Sequence, residues 1–312
     1  MITKEAKVFS VNISTNKGTI KTPTDEVKVD SMGIIGDAHA GKWHRQITLL
    51  GIERIKEFSE EIKRDIKCGE FAENITTEGI DLKKVTIFDK FLIGNVELEV
   101  TQIGKKCHGD GCAIFVEIGK CVMPHEGIFC RVLRGGKIKP GDKITYMPKS
   151  LRIGIVTVSD RASRGEYEDL SGPAIKAKIE KYFCDKPWKI LFHTIIVPDE
   201  FEDIKGQMKL LTENGFDIVI STGGTGIGTR DITPEAVKEI IDKEIPGIME
   251  LIRVKYGTKI PNALISRAIA GVHGKCLVYA LPGSVKAVGE YMDEILPTLE
   301  HSLFMLKDIN TH

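Results

Sequence analysis

The 312-residue sequence predicts two domains: a mainly β, barrel-like domain over residues 1–147 and a three-layer α/β domain with a mostly parallel sheet over residues 151–312. Three observations lead there. The first half holds short β-rich runs broken by glycine. The second half alternates strand-like and helix-like segments, the pattern of a sheet covered on both faces. Between them lies Met147-Pro-Lys-Ser150, a short polar break.

In the first half, residues 6–13, 85–88, 91–93, 96–103 and 143–146 read as strands. Val96-Glu-Leu-Glu-Val100 alternates as a half-exposed strand should. Lys139-Pro-Gly-Asp142 reads as a turn feeding a closing strand. One helix is expected over residues 49–66, where Ile52, Ile55, Phe58 and Ile62 share a face. In the second half, residues 153–158 form a nearly continuous apolar run, as a buried parallel strand does. Helix 174–183 opens at Pro173; strand 189–197 and helix 201–214 follow, the helix closed by Gly215. Then come strand 216–221, helix 234–241, strand 275–281 and a long helix over 285–306.

The composition, 42% hydrophobic and 28% charged, suits a soluble protein with apolar material for two cores. Basic and acidic residues balance at 44 each, so bulk charge offers nothing to a nucleic acid, and any anion must be held locally. No apolar run approaches the roughly 20 residues that span a bilayer, so no membrane association is expected. The start lacks the apolar stretch of a secretory leader. Seven cysteines, an odd number, fit a reducing, cytoplasmic setting.

In open α/β sheets, ligands bind beyond the carboxyl ends of the strands. Ser159-Asp160-Arg161 follows the first strand and Pro198-Asp199 the second. Thr222-Gly223-Gly224-Thr225-Gly226 follows the third, then Arg230-Asp231-Ile-Thr233-Pro234-Glu235. Pro282-Gly283-Ser284 follows the last. The glycines offer backbone N–H groups unobstructed by Cβ to a phosphate. Thr233 and Ser284 are candidate caps of helices whose starts favour anions. Asp199 and Asp231 beside phosphates would repel them, a conflict that Mg²⁺ resolves by bridging hard oxygens. Taken singly, each segment also has a plain reading: an ordinary glycine turn, a Ser159-Asp160 cap, a helix start at Asp231. Their joint placement is what a plain reading does not require.

Val158-Ser-Asp-Arg161, Asp169-Leu-Ser-Gly-Pro173, Val197-Pro-Asp199, Thr222-Gly-Gly-Thr-Gly226, Arg230-Asp-Ile-Thr-Pro-Glu-Ala236 and Leu281-Pro-Gly283 occur in this order. Together they resemble the MogA/MoaB family of molybdenum-cofactor biosynthesis proteins, related to the G domains of gephyrin. The resemblance implies Mg²⁺-dependent transfer of AMP from ATP to molybdopterin, with release of pyrophosphate. It places the family's two essential aspartates on Asp199 and Asp231, which hold Mg²⁺ and align the α-phosphate. The attacking pterin phosphate is already ionised, so alignment and charge neutralisation suffice. It also marks Ser266 and Arg267, the latter a phosphate partner or a surface ion-pair residue. A homo-oligomer, a trimer through the C-terminal domain, and other proteins of the cofactor pathway are the partners it implies.

In the first half the informative strings are Gly36-Asp-Ala-His-Ala-Gly41, Lys105-Lys-Cys107-His108, Cys112 and Met123-Pro-His-Glu-Gly-Ile-Phe-Cys-Arg131. Cations around Cys107 favour its thiolate, which can bind metal or carry sulfur as a persulfide. Cys107 and Cys112 lack the second ligand pair of a zinc site. Cys68, Cys121, Cys130, Cys184 and Cys276 read as small buried hydrophobes. His39 and His44, flanking Trp43, read as packed or hydrogen-bonded. These strings resemble the MOSC domain of molybdenum-cofactor sulfurases, which implies binding of the cofactor or its precursors. With no pyridoxal-phosphate domain in the sequence to generate sulfur, a carrier role is the safer expectation. A non-catalytic carrier or scaffold, both halves holding pterin without turnover, is the alternative to the enzyme.

Overall fold

The computed structural model describes residues 5–106, 121–186 and 188–309. The chain divides into two compact units, Met1–Lys149 and Ser150–His312. The first unit is mainly β. Its strands are β1 (Lys7–Ile13), β2 (Thr22–Thr24), β3 (Val27–Asp30), β4 (Gly33–Ile34), β5 (Ile47–Gly51), β6 (Ile75–Glu78), β7 (Lys90–Ile93), β8 (Val96–Ile103), β9 (Ile128–Arg134), β10 (Gly136–Ile138) and β11 (Ile144–Met147). Among the described residues two α-helices interrupt them, α1 (Ile52–Ile62) and α2 (Met123–Glu126). An eight-stranded sheet runs in the order β11-β7-β8-β9-β5-β6-β1-β2, and β10-β3-β4 form a small second sheet. Val8, Val11, Ile47, Leu49, Ile75, Phe91, Leu98 and Val100 fill the core between them.

The expected helix over 49–66 is shorter than the periodicity suggested. Ile47–Gly51 is fully buried and pairs with β6 and β9, so these residues are a central strand. The helix proper ends at Lys63, whose left-handed φ of 55° stops it. Residues 85–88 are not a strand. The Asp89 carboxylate accepts hydrogen bonds from Thr86 N (2.7 Å) and Thr86 Oγ1 (3.0 Å) and turns the chain, so buried Val85 and Phe88 supply core without a ladder. In β8 the pattern misleads at Glu99, which is buried and paired with Arg131 at 2.6 Å.

The second unit carries a six-stranded sheet between two layers of helices. Its elements are β12 (Ser150–Val158), α3 (Asp160–Ser163), α4 (Ser171–Phe183), β13 (Lys189–Val197), α5 (Phe201–Glu213), β14 (Ile218–Thr222), α6 (Thr233–Lys238), β15 (Lys243–Glu244), α7 (Pro246–Gly257), β16 (Ile269–His273), β17 (Cys276–Leu281) and α8 (Val285–Leu306). The order is β13-β12-β14-β17-β16-β15. The first four are parallel and the last two antiparallel. Val156, Val158, Val219 and Val278 pack on Ile204, Met208 and Leu211 of α5 and Val237 of α6. On the opposite face, α4 and α8 pack on each other and on β12 and β17. The sequence reading missed α7 and the pair β15 and β16.

Candidate functional site

The site is built at the carboxyl edge of the parallel strands. Register places Val158 beside Val197, Thr157 beside Thr222, and Thr222 beside Leu281, so these strands stop together. The loops leaving them are tied at once. Ser159 N donates to Val197 O and Gly223 N to Leu281 O, both at 2.9 Å. Gly223 sits at φ +110°, and a side-chain carbon there would collide with the carbonyl of Val158. The same position on Gly283 would lie 3.2 Å from Gly223 Cα. Glycine is needed here because two backbones cross in contact.

The acids converge around the glycine loop. Asp199 Oδ2 accepts from Asp160 N (2.8 Å) and Asp199 N donates to Asp160 Oδ1 (3.1 Å), a reciprocal clasp between the loops after β12 and β13. A carbon added at Gly224 would lie 3.4 Å from Asp199 Oδ1 and inside contact distance of Thr233 Oγ1. Gly228 N donates to Asp231 Oδ2 (2.8 Å), and a carbon added at Gly226 would fall 2.7 Å from the same oxygen. Burial pushes the Asp199 carboxyl up from its ordinary range, and the charges of Asp160 and Asp231 push the same way. Hydrogen bonding to Arg230 lowers Asp160. Like charges gathered on one rim are what a bound cation neutralises, and carboxylate oxygens suit a hard one. Among the described residues no group of three or more His, Cys, Asp and Glu is arranged to hold a metal ion. A Mg²⁺ here would take further oxygens from phosphate and water.

Other expected residues have identifiable work. Ser159 Oγ accepts from Ala162 N (3.2 Å) and caps α3. Ser284 Oγ accepts from Ala287 N (3.3 Å) and caps α8. Thr233 does not cap α6. Ile232 takes the cap position, Thr233 and Pro234 are inside the helix and buried, and Thr233 Oγ1 is buried without a partner. Thr222 Oγ1 donates to Pro282 O (2.9 Å) and Thr225 O accepts from Arg267 N (2.9 Å), so both fix loops. Arg267 forms the ion pair that one reading expects, with Glu235, and adds contacts to the loop backbone. Its guanidinium donates to Gly226 O (2.6 Å) and to Asp231 O and pairs with Glu235, so it clamps the loop that carries Asp231. Ser266 Oγ accepts from Tyr291 OH (2.9 Å), which anchors that clamp to α8.

A cavity of about 450 Å³ opens beside the glycine loop, lined by Ser159, Arg161, Tyr167, Ser171, Thr222 and Ser284 among others. Arg161 lies over the Tyr167 ring at 5.1 Å. Two residues that the motifs contain, but to which sequence assigned no role, also contribute. Arg230 donates to both oxygens of Asp160 (2.8 and 3.0 Å) and to Glu200 (2.9 Å), bracing the acidic rim. Asp169 accepts from Ser171 N (2.9 Å), Gly172 N (3.1 Å) and Thr157 Oγ1 (2.7 Å), which starts α4 against β12. An aspartate two residues before Ser-Gly-Pro is a readable helix-start signal.

In the first unit, Cys107 and Cys112 lie outside the described residues. Lys21 and Asp37 form a fully buried ion pair at 2.5 Å. His39 Nδ1 lies 3.2 Å from Lys21 Nζ, and its ring stacks on Trp43. Burial opposes the Asp37 charge, but hydrogen bonds from His39 and Lys21 outweigh it and hold the carboxyl well below its usual range. Cys130 and Cys276 are buried as expected, whereas Cys184 is exposed and Cys68 only half-buried. Cys121 is half-buried too, and it and Cys68 pack at the edge of the apolar cluster around Phe58 and Phe71.

Residues 154–301 match the family described as a probable molybdopterin binding domain, and residues 36–145 match the MOSC domain. Molybdopterin adenylyltransferase of Helicobacter pylori J99 is 39% identical over 159 residues, covering 51% of this chain and 89% of the relative. The protein of the same name from Pyrococcus furiosus is 37% identical, covering 50% and 91%. Gephyrin of Dictyostelium discoideum is 38% identical across 49% of this chain but 22% of its own length. Through its second half the chain belongs to the molybdopterin adenylyltransferase (MogA/MoaB) family, and its first half carries a MOSC domain.

Proposed function

We propose that the second unit transfers AMP from ATP to molybdopterin with Mg²⁺ and releases pyrophosphate, and that the MOSC unit binds the cofactor or a precursor. The supporting observation is the meeting of Asp160, Asp199 and Asp231 around the Gly223–Gly226 loop at one sheet edge. In this reading the glycine loop receives phosphate on its backbone N–H groups, with no Cβ between phosphate and backbone. Asp199 and Asp231 hold Mg²⁺, which when bound neutralises phosphate charge and polarises the α-phosphoryl group. Asp160 and Arg230 hold the Asp199 loop in place. Arg267 holds the Asp231 loop. The cavity lined by Arg161 and Tyr167 has the size and mixed polarity to seat a flat heterocycle. Self-association, as a trimer, and a sulfur-carrying thiol at Cys107 or Cys112 belong to the same proposal.

The test is incubation of the full chain with molybdopterin, ATP and MgCl₂, followed by mass-spectrometric detection of adenylylated pterin. Product from the wild type and none from Asp231→Asn supports the assignment. Pterin bound but never adenylylated would establish the carrier reading instead.

A further inference from the structure

In the first unit, the loops after β1 and β4 are tied together at Asp37. Its Oδ2 accepts from Ser14 N (3.1 Å) and from the buried Lys21 ammonium (2.5 Å), and its Oδ1 accepts from His39 N (2.9 Å). Lys21 Nζ also lies 3.2 Å from His39 Nδ1. An ammonium offers only hydrogens, so Nδ1 accepts and the ring hydrogen sits on Nε2. Asp37 Oδ1, at 3.4 Å from Nδ1, is farther and already takes the His39 backbone N–H. Nε2, on the ring edge turned away from Lys21, is therefore a donor on a side chain left 20% exposed. Further donors gather around the neighbouring indole. Trp43 Nε1 donates to His39 O (2.7 Å), which fixes the ring, and the imidazole lies parallel to it at 6.2 Å. Lys17 Nζ lies 5.3 Å and Arg45 Cζ 4.9 Å from the ring centre. Among the described residues neither cation forms an ion pair, and Arg45 Nε is buried without a hydrogen-bond partner. A desolvated donor and two uncompensated cations at one ring call for an anion.

We infer that the rim of Trp43 binds a doubly charged oxyanion with no hydrogen left to donate, such as molybdate or the dianion of a phosphate ester, held by Arg45, Lys17 and His39 Nε2. The double charge follows from the two cations, of which the guanidinium suits a tetrahedral oxyanion through paired N–H groups. The requirement for no hydrogen follows from the chemistry of the rim. Each of the three groups is a donor, and the nearby acid, Asp37, is already taken by Ser14, Lys21 and His39. Hydrogen phosphate would bring a hydrogen that finds no acceptor, at the cost of an unpaired donor. The buried ion pair thus has a second use: Lys21, held by Asp37, sets which nitrogen of His39 carries the hydrogen and so turns a donor outward. The ties from Asp37 to Ser14 and His39 also bring the loop carrying Lys17 to the loop carrying Trp43 and Arg45. The inference needs no pterin and stands apart from the reading of this unit as a cofactor binder.

The chain has two tryptophans, Trp43 and Trp188, so in the full chain carrying Trp188→Phe the emission reports on Trp43 alone. The test titrates this protein with sodium molybdate, methyl phosphate and inorganic phosphate at mildly alkaline pH and constant ionic strength, by fluorescence and by calorimetry. Molybdate or methyl phosphate should bind saturably and shift the Trp43 emission; saturation by the ester alone assigns the site to an esterified phosphate, and by molybdate alone to a free oxyanion. Inorganic phosphate, which keeps one hydrogen, should bind on the order of tenfold more weakly. Arg45→Gln should weaken binding on the order of tenfold to a hundredfold. Lys17→Gln, at an exposed loop position, should weaken it severalfold and decides the matter if Arg45→Gln does not fold. Lys42→Gln, an exposed cation beside Trp43, should leave the affinity unchanged. No saturable binding of either molybdate or the ester, equal weakening by Lys42→Gln and by the Arg45 or Lys17 variant, or inorganic phosphate binding as tightly as the better of the two probes overturns the inference.

Discussion

Gly224→Ala separates the shape of the proposed phosphate cradle from the stability of the fold. Gly224 sits at φ +62°, so alanine there carries the left-handed penalty of about 1–2 kcal/mol. The new methyl would press on Thr233 Oγ1, which has no hydrogen bond to lose and can turn aside. The stability cost should therefore stay near the backbone penalty, a fall in Tm of about 2–8 °C for a unit of this size. The same methyl would stand 3.4 Å from Asp199 Oδ1, in the space assigned to phosphate. Displacing a reacting phosphate by about 1 Å costs on the order of a hundredfold in rate. Gly274→Ala is the matched control. That glycine has φ +57° in the hairpin between β16 and β17, with nothing within 4 Å of the added carbon. Thermal melts by circular dichroism and initial rates of pterin adenylylation should give two proteins of similar Tm, only one of them inactive. Equal activities in the two variants would refute the cradle.

Asp199→Asn should lower kcat about 10²–10³-fold, the usual cost of removing one electrostatic partner at a reacting phosphate. Asp199 is raised in the fold, so its stabilising contribution is complete below the ordinary aspartate range and is lost as pH rises through the folded value. The asparagine variant should therefore melt above wild type at neutral pH, with the gap closing in acid; a gap that widens in acid would contradict this. Arg267→Ala leaves the carbonyls of Gly226 and Asp231 without their charged donor, at about 2–4 kcal/mol, or about 5–15 °C in Tm. Arg267→Lys should recover little of that, because one ammonium cannot reproduce the fork. Arg230→Ala should change Tm little, since its side chain is 54% exposed, yet reduce turnover by loosening Asp160; unchanged turnover would count against its bracing role.

Much of the second half was legible because its signals are local. Apolar runs such as 153–158, short and rich in β-branched residues, read as buried strands, and strand ends in an α/β sheet declare where ligands go. The order of strands and loops alone puts Asp199, Asp231 and the glycine loop just after strand ends. What escaped depends on tertiary partners. Whether Arg267 meets phosphate or protein is decided by the carbonyls of Gly226 and Asp231, distant in sequence. Thr233 looks like a cap in sequence, but the helix starts one residue earlier and buries it. In the first half, β5 resembled the first turn of a helix because a fully buried strand has no alternation to show.

The central claim is that the loops at one sheet edge assemble a site for adenylyl transfer. The most direct measurement supplies the full chain with molybdopterin, Mg²⁺ and ATP labelled at the α-phosphate, and follows label into pterin alongside pyrophosphate release. The account predicts labelled pterin and pyrophosphate in equal amounts, both stopped by chelation and both restored by added Mg²⁺. Pyrophosphate without labelled pterin, or labelling that persists in chelator, would contradict it.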